Sequence, residues 1–161
     1  MYAESMDGIH MHLIQRGLHE GHLYTREFVT SGMYDWGEPQ WSTSPKQDHL
    51  VCFLGGSLML GAVTTGATTP HVSIPPEPSE LTDVGTRDWL TGRALIETCM
   101  DTYNSSTCVA LTRIYAGRLI LFCRGLSPEI THFYVPDDGR NPEENRNKDW
   151  YVKGMECVKF P

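Results

Sequence analysis

The chain has no CxxC pair among its five cysteines, no GxSxG elbow, no phosphate-binding loop and no GxGxxG turn. Each absence withdraws support from a class: thiolate-zinc proteins, elbow-type nucleophilic hydrolases, nucleoside triphosphatases and dinucleotide-binding enzymes. Positive charge is scarce as well. Lysine and arginine number 13 against 20 aspartates and glutamates, a formal net charge of -7 with a pI near 5.4. A non-specific nucleic-acid binder needs a basic face for phosphate contacts, so no nucleic-acid partner is expected. An acidic balance suits sites that use carboxylates, although most acidic surface is simply solubilising. No stretch reaches the roughly 20 apolar residues that span a bilayer. The longest, Leu50 to Val63, is broken by Gly55, Gly56 and Gly61 and reads as a buried helix. The segment Met1 to Asp7 has no basic stretch leading into an apolar one, so it does not read as a secretory signal. Internal repeats are absent too.

What is present is enough for one modest core: 161 residues, 40% of them hydrophobic, predict a single domain. Met6, Ile9, Leu13 and Ile14 lie at helical spacing within Tyr2 to Leu18, with Gly17 near the end and no capping residue at the start. From Leu23 to Trp41, Tyr24, Phe28, Val29, Thr30 and Tyr34 alternate with Gly32 and Gly37, the texture of a short hairpin or irregular loop. Gln47 to Ala62 is apolar around nearly its whole circumference, which predicts a helix inside something larger. A Thr-, Pro- and Gly-rich loop from Thr64 to Pro78 leads to a second amphipathic helix over Thr86 to Tyr103, so the two helices form an αα-hairpin. Residues Cys108 to Arg124 are mostly apolar, 136–148 are polar and turn-rich, and Trp150-Tyr151-Val152 is strand-like.

Asp48-His49 stands out physically. A carboxylate and an imidazole at the mouth of an apolar helix must either cap it or face a polar cavity, and capping is the commoner role. Glu129 follows Pro128 in a Gly- and Pro-bounded loop, where it can point into a cleft or into water. His10 and His12, two apart on a helix, cannot converge on one metal, and His19-Glu20-Gly21-His22 is one residue short of HExxH; all four histidines read as surface residues and no metal site is assigned. Asn104-Ser105-Ser106 is a glycosylation sequon, meaningful only in a secreted chain.

Ser44-Pro45-Lys46-Gln47-Asp48-His49-Leu50-Val51-Cys52-Phe53-Leu54-Gly55-Gly56 closely resembles the SPKMDHLVCFLPG segment of glycoside hydrolase family 47, the class I α-1,2-mannosidases. Gly125-Leu126-Ser127-Pro128-Glu129-Ile130 resembles their GLSPEI segment, Tyr2 to Leu13 their YxEAMDGIxxHL helix, and Glu97-Thr98-Cys99 their ETC helix end. Four matches in the family's order weigh heavily against coincidence. Gln47 stands where Met is usual and Gly55 where Pro is usual; the Gly, with a long loop before the ETC helix, resembles fungal-type members.

The resemblance implies an all-α fold, a fragment of an (α/α)7 barrel with a short β-hairpin or irregular segment. It implies hydrolysis of terminal α-1,2-linked mannose from high-mannose N-glycans, with inversion and with a bound Ca2+ orienting water and sugar hydroxyls. Glu129 matches a carboxylate lining the sugar pocket and His49 an active-site histidine beside it. Cys52 and Cys99 match the family's structural disulfide, which implies an oxidising compartment of the secretory pathway, ER, Golgi or outside the cell. The segments that carry the family's acid, its base and its calcium-binding threonine have no match here, so no catalytic residue and no calcium ligand is assigned, and residues 1–161 read as a partial catalytic domain, inactive alone.

Residues 108–124 and 154–161 have no counterpart in the family and read as an insertion and a divergent tail; removing 108–124 restores the family's short helix-to-loop junction, as a translated intron would. Cys108, Cys123 and Cys157 are left without an assigned partner. Two other readings stay open: a mannosidase-like glycan-binding module of glycoprotein degradation, and a mis-spliced fragment without function.

Overall fold

The computed structural model describes residues 2–34, 36–105, 111–115, 118–122, 127–136 and 147–153, with backbone alone at residue 2 and in the 111–122 stretches. In chain order the elements are α1 (Tyr2–His12), β1 (Ile14–Arg16), β2 (Leu23–Thr25), β3 (Glu27–Met33), β4 (Pro39–Ser44), β5 (Lys46–Asp48), α2 (Cys52–Thr64), α3 (Asp83–Ser105), β6 (Leu111–Tyr115), β7 (Arg118–Phe122), β8 (Ile130–Phe133) and β9 (Trp150–Tyr151). Three helices thus share the described residues with small antiparallel sheets, β1-β2, β3-β4, β5-β8-β9 and β6-β7. Strand content exceeds the expected all-α chain with one hairpin, and the described residues do not by themselves form an (α/α)7 barrel.

The centre of the helical part is α2 against α3. Gly55 and Gly92 face each other so closely that a Cβ on Gly92 would sit 2.5 Å from the Gly55 carbonyl oxygen, and one on Gly55 would sit 2.9 Å from the Gly92 oxygen. Backbone-to-backbone approach of this kind needs small residues on both sides. Gly66 and Gly85 repeat the contact at the other end of the pair. Leu58, Ala62, Leu95 and Cys99 are buried along this pair, Cys52 is bonded to Cys99 with Cα atoms 6.0 Å apart, and Thr98 ties α3 to β2 by donating to the Leu23 carbonyl at 2.6 Å. The far side of α2 is apolar and open, with Phe53 75% and Leu60 63% exposed, as fits a helix that belongs inside something larger.

Two expected helix bounds move. The first helix stops at His12 instead of Leu18, because Ile14 to Arg16 satisfy their backbone against Thr25 to Leu23. The second starts at Cys52 instead of Gln47, because Lys46, Gln47 and Asp48 pair with His132, Thr131 and Ile130. A ladder with a distant strand outweighs local helical periodicity at both places. Gln47 is buried for the same reason, and its Oε1 accepts the Thr25 N–H at 2.9 Å.

The sheet β5-β8-β9 carries a second small core, with Tyr24 stacked on Phe133 at 3.9 Å between ring centroids and Trp150 and Val152 packed alongside. Its polar anchor is Asp149, fully buried, whose carboxylate accepts the backbone N–H groups of His19 (2.5 Å), Glu20 (2.9 Å) and His22 (2.7 Å). Gly17 allows this loop to wrap the carboxylate, since a Cβ there would overlap it. By contrast the β3-β4 ribbon is exposed along nearly its whole length.

His10 is not a surface histidine. Its side chain is 13% exposed and its Nε2 lies 2.8 Å from Asp88 Oδ1, while Arg87 joins Asp88 to Asp7. These pairs hold α1 against the start of α3.

Candidate functional site

Asp48, His49 and Glu129 come together where β5 ends and β8 begins. Asp48 closes the strand in an extended conformation, and its Oδ1 accepts the Leu50 N–H at 2.8 Å. Capping is therefore one role of this side chain, as expected for a carboxylate before a helical turn. The cap turns the chain through a short 3-10 segment, His49–Val51, into α2. That turn sets His49 against the neighbouring strand.

Glu129 lies on the bend before β8, opposite His49 by backbone pairing. The His49 N–H donates to the Glu129 carbonyl at 3.0 Å, and His49 Nδ1 lies 3.3 Å from the same oxygen and 3.6 Å from Asp48 Oδ1. Below the bend, Pro128 is buried, and the Ser127 hydroxyl lies 2.9 Å from that of Thr102 on α3. A rigid base thus carries an outward-facing carboxylate. The Glu129 side chain is exposed, and His49 is 39% exposed. Asp48 is additionally in the lining of a cleft of about 430 Å³, together with Lys46, Glu27, Phe28, Val51 and Leu54. Lys46 and Glu27 form an ion pair there at 3.2 Å. His49 and Glu129 do not line that cleft.

So the arrangement presents two carboxylates and an imidazole to solvent at neighbouring strand ends. Groups of this kind can accept hydrogen bonds from vicinal hydroxyls and, through the imidazole, donate one. For Asp48 the sequence left capping and facing a polar cavity both open; it caps the turn and also lines the cleft, which His49 does not. Cys52, one turn further, anchors α2 through its bond to Cys99 and so fixes the helix that the edge leads into. Residues 154–161, Cys108, Cys123 and the side chains of 108–124 lie outside the described residues; within 108–124 the backbone of β6 pairs with that of β7.

Most of the chain is similar in sequence to known mannosidases. The chain is 27% identical over 148 residues to the mannosyl-oligosaccharide 1,2-alpha-mannosidase MNS3 of Arabidopsis thaliana, covering 92% of this chain and 19% of that protein. It is 30% identical over 156 residues to a mannosyl-oligosaccharide 1,2-alpha-mannosidase of Candida albicans, covering 97% of this chain and 22% of that protein. It is 29% identical over 133 residues to the endoplasmic reticulum mannosyl-oligosaccharide 1,2-alpha-mannosidase of Saccharomyces cerevisiae, covering 83% and 20%. The chain thus spans about a fifth of the length of these curated relatives. The glycosyl hydrolase family 47 model matches residues 1–157, nearly the whole sequence, and the chain belongs to that family.

Proposed function

We propose that this chain supplies the mannose-binding edge of an α-1,2-mannosidase acting on high-mannose N-glycans, with Glu129 and His49 contacting the sugar and Asp48 beside them. The observation that carries the reading is the His49–Glu129 pairing, which sets both side chains at one exposed edge although 80 residues separate them. Inverting glycoside hydrolysis uses two carboxyl groups on opposite faces of the sugar, one acting as acid and one as base. The family motifs for those two groups have no match in this sequence; sugar contact is the role that the resemblance of the segment Gly125 to Ile130 implies for Glu129. The described edge offers two carboxylates, Asp48 and Glu129, against the roughly six to eight oxygens that Ca2+ takes. It does not amount to a calcium site. The Cys52–Cys99 bond suits the oxidising lumen of the secretory pathway, and among the described residues no helix is long and apolar enough to cross a membrane.

Mannose release from a high-mannose N-glycan by the purified 161-residue chain, with Ca2+ supplied, tests the reading. The expected result is no turnover above the enzyme-free rate, and sustained release overturns the assignment of the edge as binding alone. Residues 108–124 are proposed to be a translated intron. Transcript sequencing should then find a species without those codons, and its absence would sink the idea.

A further inference from the structure

Glu20, His22 and Asp101 converge where the loop around Asp149 meets the last turns of α3. One potential ligand atom from each lies within 4.8 Å of those of the other two. We propose that these three side chains form a binding site for a divalent first-row transition ion, with Zn2+ as its natural probe. Glu20 and His22 come from the N-terminal loop and Asp101 from α3, so an ion held there would clamp the loop to the helix.

The donor set is one imidazole nitrogen and two carboxylate oxygens. Imidazole with carboxylate suits Zn2+, whereas Ca2+ and Mg2+ favour all-oxygen shells. The site is therefore distinct in chemistry from the calcium implied by the family resemblance. A second observation comes from the imidazole itself. His22 Nδ1 is shut off from water and makes no hydrogen bond, although Asp149 Oδ2 lies 3.3 Å and Glu20 Oε2 3.4 Å away. A desolvated ring nitrogen that makes no hydrogen bond is costly, and a cation bound between it and the neighbouring carboxylate oxygens offers a way to relieve it.

The carboxylates are prepared in different ways. Asp101 is fixed on both oxygens, with Oδ1 accepting the Ser105 hydroxyl and Oδ2 the Trp150 indole N–H, each at 2.7 Å. Each oxygen still has a lone pair for a metal, and outer hydrogen bonds of this kind orient ligating carboxylates. Glu20 lies exposed at the rim, its Oε2 3.4 Å from His22 Nδ1. Its backbone, like that of His22, is pinned by Asp149. Charge favours a cation as well: among the described residues no lysine or arginine forms an ion pair with Glu20, Asp101 or Asp149.

The competing explanation is a histidinium held between Glu20 and Asp149 with no ion. Calorimetric titration of the EDTA-stripped full chain with Zn2+ separates the two. Saturation at one ion per chain is expected, weakened by about tenfold or more in both Glu20→Gln and His22→Gln. Where His22→Gln fails to fold, Glu20→Gln at its exposed position carries the test alone. Co2+ in place of Zn2+ should give a visible spectrum without thiolate charge-transfer bands, which excludes Cys108, Cys123 and Cys157 as the ligands. No saturable binding, binding unchanged in Glu20→Gln, or a thiolate band would each overturn the proposal.

Discussion

The α2–α3 pair and the β3–β4 ribbon both show large apolar side chains to solvent, yet only the pair is locked. In the pair, glycines at two levels bring the backbones into contact, Leu58 and Leu95 are buried beside them, and a disulfide closes the seam. The ribbon has no second layer. Its aromatics pack on one another, Phe28 edge-on to Trp41 at 6.5 Å and Tyr34 flat against Trp36 at 4.6 Å, and Trp36 remains 70% exposed. A two-stranded hairpin without a packed face is marginal in isolation. Apolar content is thus no guide to rigidity here; small residues at the points of closest approach decide it.

The disulfide gives the sharpest way to break that contrast. Cys99→Ser should cost about 2–5 kcal/mol, read as a lower denaturation midpoint, because residues 52 and 99 enclose a long loop in the unfolded chain. If the oxidised and reduced proteins melt together, the pair is not the stable element. Gly92→Ala comes next, at about 1–3 kcal/mol, since its Cβ would press on the Gly55 carbonyl. A neutral result would mean that the helices can slide apart.

Acid tests a third region. Burial pushes the Asp149 carboxyl up, but the N–H donors of His19, His22 and Glu20, with the His22 ring, outweigh it and hold it below the ordinary value. A depressed native value means that the contribution to stability is whole above the unfolded carboxylate range, about 3.9, and is lost as pH falls through the native value. Protection of these three amides, taken relative to their intrinsic exchange rates, should fall as the pH drops below the ordinary carboxylate range and through the native value, and unchanged protection at low pH would contradict it. Trp36→Ala, on the ribbon, should change stability by no more than about 0.5 kcal/mol. A larger loss would show that the ribbon is anchored after all.

These regions also differ in how far they could be read from sequence. α3 was legible because its apolar spacing is local; the expected span, Thr86 to Tyr103, falls inside Asp83–Ser105. The start of α2 was misplaced because Lys46 to Asp48 answer to a strand more than 80 positions later, which no local window contains. The His10–Asp88 and Asp149 contacts were missed for the same reason: a buried polar group leaves no periodic trace of a distant partner. Cys52 and Cys99 could be paired only through the resemblance, since spacing leaves every pairing of five cysteines open. At the edge, Asp48-His49 was visible as a polar pair at a helix mouth, whereas the strand pairing that sets Glu129 beside His49 required the fold.

The carboxylate of Asp149 fixes an order of events during synthesis. Three amides near the beginning of the chain find their acceptor only when the residue 127 to 130 positions later has left the ribosome. Until then the loop at 17–22 lacks the anion around which it closes. α1 and β1 are made long before Asp149, yet the loop that joins β1 to β2 can settle only after it, and its closure reports that translation has passed residue 149.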